Sequence, residues 1–284
     1  MSVQTIQKTV NLTIDECQVT VPKGQTILEA ALDIGVDIPR LCHDPRLKPV
    51  GACRLCIVEI EGEHGMHTAC TREVEEGMTI STETDEIAGM RKSVLELILA
   101  DHRVTCPTCD KNGDCALMDY SYRYKADQFA FGAYKPGPVV PNFATGNEAI
   151  SFDPQLCITC GRCIRICDEV VMASALTFKS RAAGAEVTTP FDVPLNETSC
   201  VLCGLCISTC PTGAMYDQAA LGRGQIKDLE KVRTVCPYCG VGCVMDLNVN
   251  PETNRIVRVT SPVGSVPNDG NLCVKGKFGF EYVH

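Results

Sequence analysis

The cysteines are the residues of this sequence whose type and spacing point most directly to chemistry. There are 20 of them among 284 residues, and 19 fall into clusters whose spacing is typical of iron–sulfur ligation. Thiolates bound to iron form centres that accept and donate electrons. Cys17 lies outside the clusters, and one histidine is predicted to join them. The predicted metal ligands are Cys42, Cys53, Cys56, Cys70, His102, Cys106, Cys109, Cys115, Cys157, Cys160, Cys163, Cys167, Cys200, Cys203, Cys206, Cys210, Cys236, Cys239, Cys243 and Cys273.

The first ligand set is Cys42, Cys53, Cys56 and Cys70, in the pattern Cys-x10-Cys-x2-Cys-x13-Cys. The two central cysteines lie close together on a short loop, whereas the outer two must return from the flanking chain. This arrangement favours a [2Fe–2S] cluster. The alternative is a zinc site, although zinc usually takes a second pair of similarly close ligands.

The second set combines His102 with Cys106, Cys109 and Cys115. The three cysteines lack a fourth ligand unless the histidine supplies it. We therefore predict a [4Fe–4S] cluster with one imidazole and three thiolate ligands, and imidazole ligation changes the charge and potential of a cluster. The alternative is a zinc site with the same four ligands.

A repeat with a period of 43 residues carries the third and fourth sets. Each copy has the spacing Cys-x2-Cys-x2-Cys-x3-Cys of two-cluster ferredoxins, in which the fourth cysteine of each run ligates the other cluster. Asp168 follows the first run where Pro211 follows the second, which changes the exit turn and not the number of ligands. The crossing assigns Cys157, Cys160, Cys163 and Cys210 to one [4Fe–4S] cluster, and Cys200, Cys203, Cys206 and Cys167 to the other.

The last set, Cys236, Cys239, Cys243 and Cys273, is predicted to hold a further [4Fe–4S] cluster. Its motifs Cys-Pro-Tyr-Cys-Gly-Val-Gly-Cys and Cys-Val-Lys-Gly resemble those of molybdopterin-dependent oxidoreductases, most of all cytosolic formate dehydrogenase catalytic subunits. Those proteins carry all the cluster motifs in the same order, so the resemblance spans essentially the whole chain. It implies that the last cluster lies next to a bis-pterin cofactor, with Lys275 between them. The alternative for Lys275 is a solvated lysine in a turn.

The resemblance implies an electron-conducting part of a formate dehydrogenase or carbon dioxide reductase. Electrons would pass between a molybdenum or tungsten pterin site and a flavin-bearing NAD(P) subunit, a hydrogenase or a ferredoxin. Only 11 residues follow Cys273, so the pterin site is expected on further polypeptide or on a partner chain, and no catalytic residue is assigned here.

Three other functions stay open. A hydrogenase arm would share the first four clusters, although the last motif favours the pterin family. The large iron–sulfur subunit of NADH dehydrogenase would share the first, second and last motifs, but it typically lacks the ferredoxin run. A free-standing electron carrier is the third possibility.

Composition narrows the class of protein. A net charge of −9 and a pI near 5.1 argue against a nucleic-acid-binding surface. Disulfide frameworks of this cysteine density belong to short secreted proteins, and thiolates stay available for metal in a reducing compartment, so we expect a cytoplasmic protein. No segment approaches the run of about 20 apolar residues that a membrane helix needs.

The elements that position the ligands can be predicted from periodicity. Residues 10–14 and 17–21 alternate between apolar and polar around Asp15-Glu16, which predicts a hairpin with Cys17 buried on it as a small hydrophobe. Thr26-x-x-Glu29 is a capping box that opens a helix, and Gly35 is expected to end it. Two strands followed by a helix suggest a β-grasp domain.

A second helix is predicted from Thr84, and strands are predicted at 244–249 and 256–259. The fold class is therefore α+β. The predicted segments are a β-grasp [2Fe–2S] domain at 1–83, a His/Cys3 domain at 84–131, a linker at 132–150, a two-cluster ferredoxin-like domain at 151–232 and an incomplete molybdopterin-oxidoreductase-type [4Fe–4S] domain at 233–284. The apolar stripe predicted to face the core on the second helix is Ile87, Met90, Val94, Leu97 and Ile98.

Overall fold

A computed structural model describes residues 8–132 and 147–284 of the chain. These residues form two compact units. The first comprises residues 8–100 and 116–132, and the second comprises residues 101–115 and 147–284. The α+β class is confirmed, whereas most of the predicted linker at 132–150 lies outside the described residues.

A five-stranded mixed sheet with helices packed beside it forms the first unit. The elements are β1 (Thr9–Ile14), β2 (Cys17–Pro22), α1 (Ile27–Asp33), β3 (Ile57–Ile60), β4 (Met66–Thr68), β5 (Thr79–Ser81), α2 (Asp85–Ala100) and α3 (Ala116–Arg123). The strand order is β2-β1-β5-β3-β4, with β1 and β5 parallel and the other neighbours antiparallel. This is the sheet expected of the β-grasp fold.

The β1–β2 hairpin forms as predicted, but the burial of Cys17 was predicted wrongly. Asp15 and Glu16 occupy the turn with φ of 44° and 70°, the left-handed values that a two-residue turn of this kind requires. Cys17 begins the edge strand β2 directly after this turn, where only β1 flanks it, and its side chain is exposed. On alternate residues of the strand, burial increases from exposed Cys17 through half-buried Val19 to buried Val21.

Helix α1 begins at the predicted capping box. The hydroxyl oxygen of Thr26 accepts a hydrogen bond from the amide of Glu29, and the Glu29 carboxylate accepts one from the amide of Thr26 at 2.7 Å. Gly35, with φ of 81°, follows the end of the helix as expected. The buried face of α1 packs on the sheet and includes Ile27 and Leu28.

Helix α2 spans the predicted residues but turns a different face to the core. Its buried residues are Ile87, Arg91, Leu95 and Leu99, which follow one another at intervals of four. Met90 and Leu97, predicted to be core residues, are 47% and 56% exposed. The apolar pattern was misleading because a charged residue, Arg91, occupies the middle of the buried stripe.

The second unit is built from short elements around the remaining cysteines. They are β6 (Ile150–Phe152), α4 (Arg162–Arg165), β7 (Thr177–Lys179), β8 (Glu186–Thr188), α5 (Leu205–Thr209), β9 (Met215–Asp217), β10 (Glu230–Val235), β11 (Val244–Asn250), β12 (Arg255–Thr260) and α6 (Val274–Phe278). A π-helical turn, Ile166–Val170, continues α4. Strands β6 and β9 pair, β7 and β8 pair, and β10, β11 and β12 form an antiparallel sheet that includes both predicted C-terminal strands.

The sequence repeat is also a repeat of backbone conformation. Thr159 and Leu202 have φ of 50° and 51°, and Gly161 and Gly204 both have φ of 70° immediately before α4 and α5. Antiparallel pairing of β6 with β9 joins the chain before the first cysteine run to the chain after the second. Among the described residues, no helix is long and apolar enough to cross a membrane.

Replacing Thr26 with Ala should lower the free energy of unfolding of the first unit by about 1 kcal/mol, because the amide of Glu29 loses its capping acceptor. Thr26→Ser keeps a hydroxyl at this position and serves as the control. Anaerobic urea unfolding monitored by circular dichroism measures both. An equal decrease in the free energy of unfolding of the two variants would contradict a capping role for Thr26.

Candidate metal centres

The first four cysteines converge beside the sheet of the first unit. The loop between α1 and β3 carries Cys42, Cys53 and Cys56, and Cys70 follows β4. Backbone amides are directed at two of the sulfurs: the amide of Leu41 lies 3.4 Å from Cys53 Sγ, and the amide of Cys53 lies 3.4 Å from Cys42 Sγ. Such donors stabilise thiolate over thiol.

The same four thiols form two hydrogen-bonded pairs. The thiol of Cys42 donates to Cys53 and lowers the pKa of Cys53 to about 5, while its own pKa is raised. The thiol of Cys56 donates to Cys70 in the same way, which raises the pKa of Cys56 and lowers that of Cys70. The sulfurs are thus arranged two by two, which fits a cluster of two irons with two cysteines on each.

A fully buried arginine holds the chain on both sides of Cys56. Arg91 has no exposed surface, and its guanidinium caps two backbone carbonyls while it also pairs with a carboxylate and a hydroxyl. The sequence alone did not predict a role for Arg91. The guanidinium donates to the carbonyl oxygens of Leu55 at 3.0 Å and Ile57 at 2.8 Å, to Glu83 Oε2 at 2.7 Å and to the Tyr124 hydroxyl at 2.9 Å.

His102 is buried in the second unit and presents a nitrogen without a partner. Its Nδ1 makes no hydrogen bond within the described part of the chain. Burial lowers the pKa of the imidazole to about 4, although a hydrogen bond to the backbone of Leu156 acts in the opposite direction. A neutral imidazole with a free lone pair is the form that binds metal. The side chain therefore fits the ligand role predicted for it.

Cys109, of the same predicted set, lies directly against the loop that follows the second cysteine run. A Cβ atom on Gly213 would lie 2.8 Å from Cys109 Sγ, so a larger residue at that position would displace this sulfur. Burial raises the pKa of Cys109, and the charge of Cys106 adds to this effect. Cys115, the last cysteine of this set, immediately precedes α3.

Two cavities in the second unit are each lined by four cysteines. One contains every member of the first crossed set, and the other contains every member of the second. Met215 lines both cavities and is buried between them. The lining cysteines are Cys157, Cys160, Cys163 and Cys210 in one cavity, and Cys167, Cys200, Cys203 and Cys206 in the other.

The pKa values of these thiols also reflect the crossed sets, because a cysteine of the other run contributes to the shift. Burial, together with the charge of Cys210, raises the pKa of Cys157 to about 12 and that of Cys160 to about 11. Burial also raises the pKa of Cys206, and Cys167 contributes to that shift. Amides again point at sulfur, since those of Thr159 and Leu202 lie 3.3 Å and 3.4 Å from the cysteines two residues before them.

The last set is more open. Cys236 is buried, Cys243 is half-buried, and Cys239 and Cys273 are exposed. Burial raises the pKa of Cys243, and the charges of the other three cysteines add to the shift, so the four lie near one another. Lys275 lies on α6, two residues beyond Cys273, with its side chain exposed.

Within the described residues, no three His, Cys, Asp or Glu side chains converge as the ligands of a single metal ion do. The twenty ligands therefore stay predictions, supported by the paired thiols, the free imidazole nitrogen and the two cavities.

Four family descriptions match consecutive parts of the chain. Residues 7–85 match a 2Fe-2S iron-sulfur cluster binding domain, and residues 91–129 match the NADH-ubiquinone oxidoreductase-G iron-sulfur binding region. Residues 156–214 match a 4Fe-4S dicluster domain, and residues 229–284 match the molybdopterin oxidoreductase Fe4S4 domain.

Several curated proteins are similar over almost all of this chain. The NADPH-Fe(3+) oxidoreductase subunit alpha of Geobacter sulfurreducens is 35% identical over 97% of the chain and 32% of its own length. The G 2 subunit of the NADH-quinone oxidoreductase of Rhizobium meliloti is 35% identical over 96% of the chain and 31% of its own length. A Staphylococcus haemolyticus protein provisionally named a formate dehydrogenase is 27% identical over 98% of this chain and 32% of its own length. The chain thus spans about a third of the length of these relatives.

A solved structure is similar as well. A chain of an NAD+-reducing [NiFe]-hydrogenase in the H2-reduced state superposes with a TM-score of 0.68 at 29% identity. The match covers 76% of this chain and 91% of that one.

Replacing Arg91 with Met should destabilise the first unit by about 3 to 5 kcal/mol, because the partners of a buried cation are left unpaired. Arg123→Met is the matched control: Arg123 also pairs with Glu83, at 3.1 Å, but its side chain is exposed, so its loss should cost about 1 kcal/mol or less. Anaerobic urea unfolding compares the two. A similar small loss in both variants would contradict the role of Arg91.

Gly213→Ala should remove the signal of the His/Cys3 cluster from the electron paramagnetic resonance (EPR) spectrum, because the new methyl group displaces Cys109 Sγ. Gly240→Ala is the control, since a Cβ there meets no atom within 4 Å although it also lies in a cysteine loop. If both variants kept the complete set of signals, Cys109 would not be a ligand in the predicted geometry.

Proposed function

We propose that this chain, which carries iron–sulfur domains of the NADH-quinone oxidoreductase G and molybdopterin oxidoreductase family, is an electron-transfer module of a multi-subunit oxidoreductase. It exchanges electrons between a nicotinamide-linked partner and a second redox site. The observation that carries the proposal is the pair of cavities, each lined by all four cysteines of one crossed set.

The proposed complement is one [2Fe–2S] and four [4Fe–4S] clusters. In the first unit each iron takes one hydrogen-bonded pair of thiols. In the second unit the imidazole nitrogen completes a three-cysteine set, the two cavities hold the crossed sets, and the open site takes the last cluster. The proposed ligands are Cys42 with Cys53 on one iron and Cys56 with Cys70 on the other; His102, Cys106, Cys109 and Cys115; the two crossed sets; and Cys236, Cys239, Cys243 and Cys273.

The clusters, when bound, supply reversible electron transfer. The chain contributes thiolates, backbone amides that point at sulfur, and apolar walls that exclude water, and all three set reduction potentials. Met215 lines both cavities, and Gly213 allows Cys109 to lie against the loop after Cys210. Within the second unit, these contacts support electron transfer from the crossed sets to the His/Cys3 site.

The far end of this route is proposed at the open C-terminal site. Two of its cysteines are exposed, and Lys275 is exposed beside them. By resemblance, Lys275 would contact a molybdenum or tungsten pterin cofactor held by further polypeptide or by a partner chain. The match of residues 229–284 to the molybdopterin oxidoreductase Fe4S4 domain supports this placement. Buried thiolate sites of this kind favour a cytoplasmic location.

Formate is the proposed substrate of that second site, in agreement with the motifs around Cys236 and Cys273 and with the name of one relative. The second candidate is the arm of an NAD-linked hydrogenase or an NADH dehydrogenase-like complex. The hydrogenase chain and the Rhizobium meliloti relative, which aligns over 96% of this chain, favour it.

The purified chain should contain about 18 iron atoms with matching sulfide, as one [2Fe–2S] and four [4Fe–4S] clusters require. Anaerobic iron, sulfide and zinc analysis together with EPR measures this. Stoichiometric zinc, or about half of that iron, would contradict the proposed complement.

The two candidate functions differ in the compound that reduces the clusters when the natural partners are present. EPR spectra recorded after each reductant is added show which one does so. Reduction by formate supports the formate dehydrogenase, reduction by hydrogen supports the hydrogenase arm, and reduction by NADH or NADPH tests the nicotinamide-linked partner. Failure of NADH and NADPH in the presence of those partners would contradict the nicotinamide side of the proposal.

A further inference from the structure

Lys277 is a buried cation that neither the cysteine motifs nor the predicted role of Lys275 accounts for. It lies on α6, four residues after Cys273, and only 3% of its surface is exposed. Its Nζ donates a hydrogen bond to the carbonyl oxygen of Val259 in β12 at 2.6 Å. Sequence reasoning placed the important lysine of this segment two residues earlier, on the exposed side of the helix.

The stem of Lys277 lies against the loop of the second crossed set. A Cβ atom on Gly204 would lie 2.8 Å from Lys277 Cγ and 2.9 Å from Cε, so a larger residue there would displace the lysine stem. Gly204 is between Cys203 and Cys206 and lines the same cavity as both. The lysine therefore covers the wall of that cavity from outside.

The ammonium group has no carboxylate in contact. Among the ion pairs of the described residues, none includes Lys277. The charges that act on it from further away are mixed: Asp217 and Cys206 favour the cation, whereas Arg258 and Lys111 oppose it. Burial lowers the pKa of Lys277 to about 8, which still leaves the amine mainly protonated at neutral pH. A buried charge is costly unless opposite charge lies near it, and after Asp217 the side of the cavity at Cys206 is the second place from which an anion would stabilise this ammonium.

The corresponding position of the first repeat is covered differently. Gly161 has the same φ as Gly204, but a Cβ atom there would meet the ring of Phe178 at 3.5 Å. A ring carbon of Phe278 would also lie 3.0 Å from a Cβ atom on Gly204, so a phenylalanine ring faces both glycines, and Gly204 alone also faces the stem of a buried lysine. The repeat is symmetric in its ligands and asymmetric in this one covering residue.

We propose that the Lys277 ammonium is the counter-charge of the cluster bound by Cys200, Cys203, Cys206 and Cys167, and that it raises the reduction potential of that cluster. The inference rests on the proposed function, since it requires the cluster to be present. Thiolate-ligated cubanes are anionic, and reduction adds one electron from the neighbouring centre, so a fixed cation stabilises the reduced form more than the oxidised form. Lys277 acts through its field and is not a ligand.

The test is an anaerobic redox titration of the iron-loaded chain, followed by EPR, on Lys277→Met, Lys277→Gln and Lys277→Arg. In the two neutral variants the ratio of reduced to oxidised cluster at a fixed potential should fall about tenfold for one [4Fe–4S] signal, equivalent to about 59 mV for one electron. Lys277→Arg should keep the signal near its original potential. Lys231→Met, which removes an exposed lysine of β10, is the control for net charge and should shift nothing. Cys203→Ser changes a ligand of this cluster, so the EPR signal that it alters is the signal of the cluster in question.

Each outcome decides the point. Neutral variants that keep all their iron and show no shift overturn the proposal. If the neutral variants lose the iron of one cluster and Lys277→Arg keeps it, the positive charge is required for cluster binding, which supports the proposal. If all three variants lose the same amount of iron, the lysine acts through its packing and not through its charge, and the proposal is overturned. Absence of ferredoxin-type signals from the unaltered chain would instead mean that the proposed function has failed.

Discussion

Burial of several thiols around one centre is the constraint on which the rest of this structure depends. Burial raises the pKa of thiols such as Cys163 and Cys206 well above the usual value, because a thiolate is poorly stabilised away from water. Such sites hold sulfur anions only where positive charge lies among them, and iron supplies it when bound. The chain around each set therefore serves to place sulfur, to screen it from water and to supply dipoles and charges.

The two units meet this constraint in different ways. In the first, a regular sheet with an aliphatic core stands beside the ligand loop, and a buried arginine fixes the loop at the carbonyls around Cys56. In the second, the cysteines are themselves part of the apolar core, together with short strands and single helical turns. Close approach is possible there because glycines stand at the contacts, at Gly213 beside Cys109 and at Gly204 beside Lys277. We expect cofactor ligation to take the place of part of the hydrophobic core that a unit of this size would otherwise use.

Local rules predicted much of this arrangement. The hairpin and the capping box at Thr26 both depend on a few neighbouring residues, which the sequence displays directly. The crossed sets were predictable because the spacing repeats, and the two cavities agree with them.

What failed or was missed depends on residues distant in sequence. The face of α2 was predicted wrongly because the carbonyl acceptors of Arg91, at Leu55 and Ile57, lie more than thirty positions away, and periodicity gives no weight to a paired charge. Lys277 was missed for the same reason, since its burial depends on Gly204 and Val259. Cys17 was expected in the core because alternation indicates a face of the strand and not how far its neighbours cover it.

The central claim, that the repeated cysteines hold two crossed cubanes, is tested most directly by anomalous X-ray diffraction at the iron absorption edge on anaerobically grown crystals. Crossed ligation predicts a four-iron peak in each cavity, one bonded to Cys157, Cys160, Cys163 and Cys210 and the other to Cys167, Cys200, Cys203 and Cys206. Peaks at the zinc edge instead, or iron bonded within each run without crossing between Cys167 and Cys210, would contradict it.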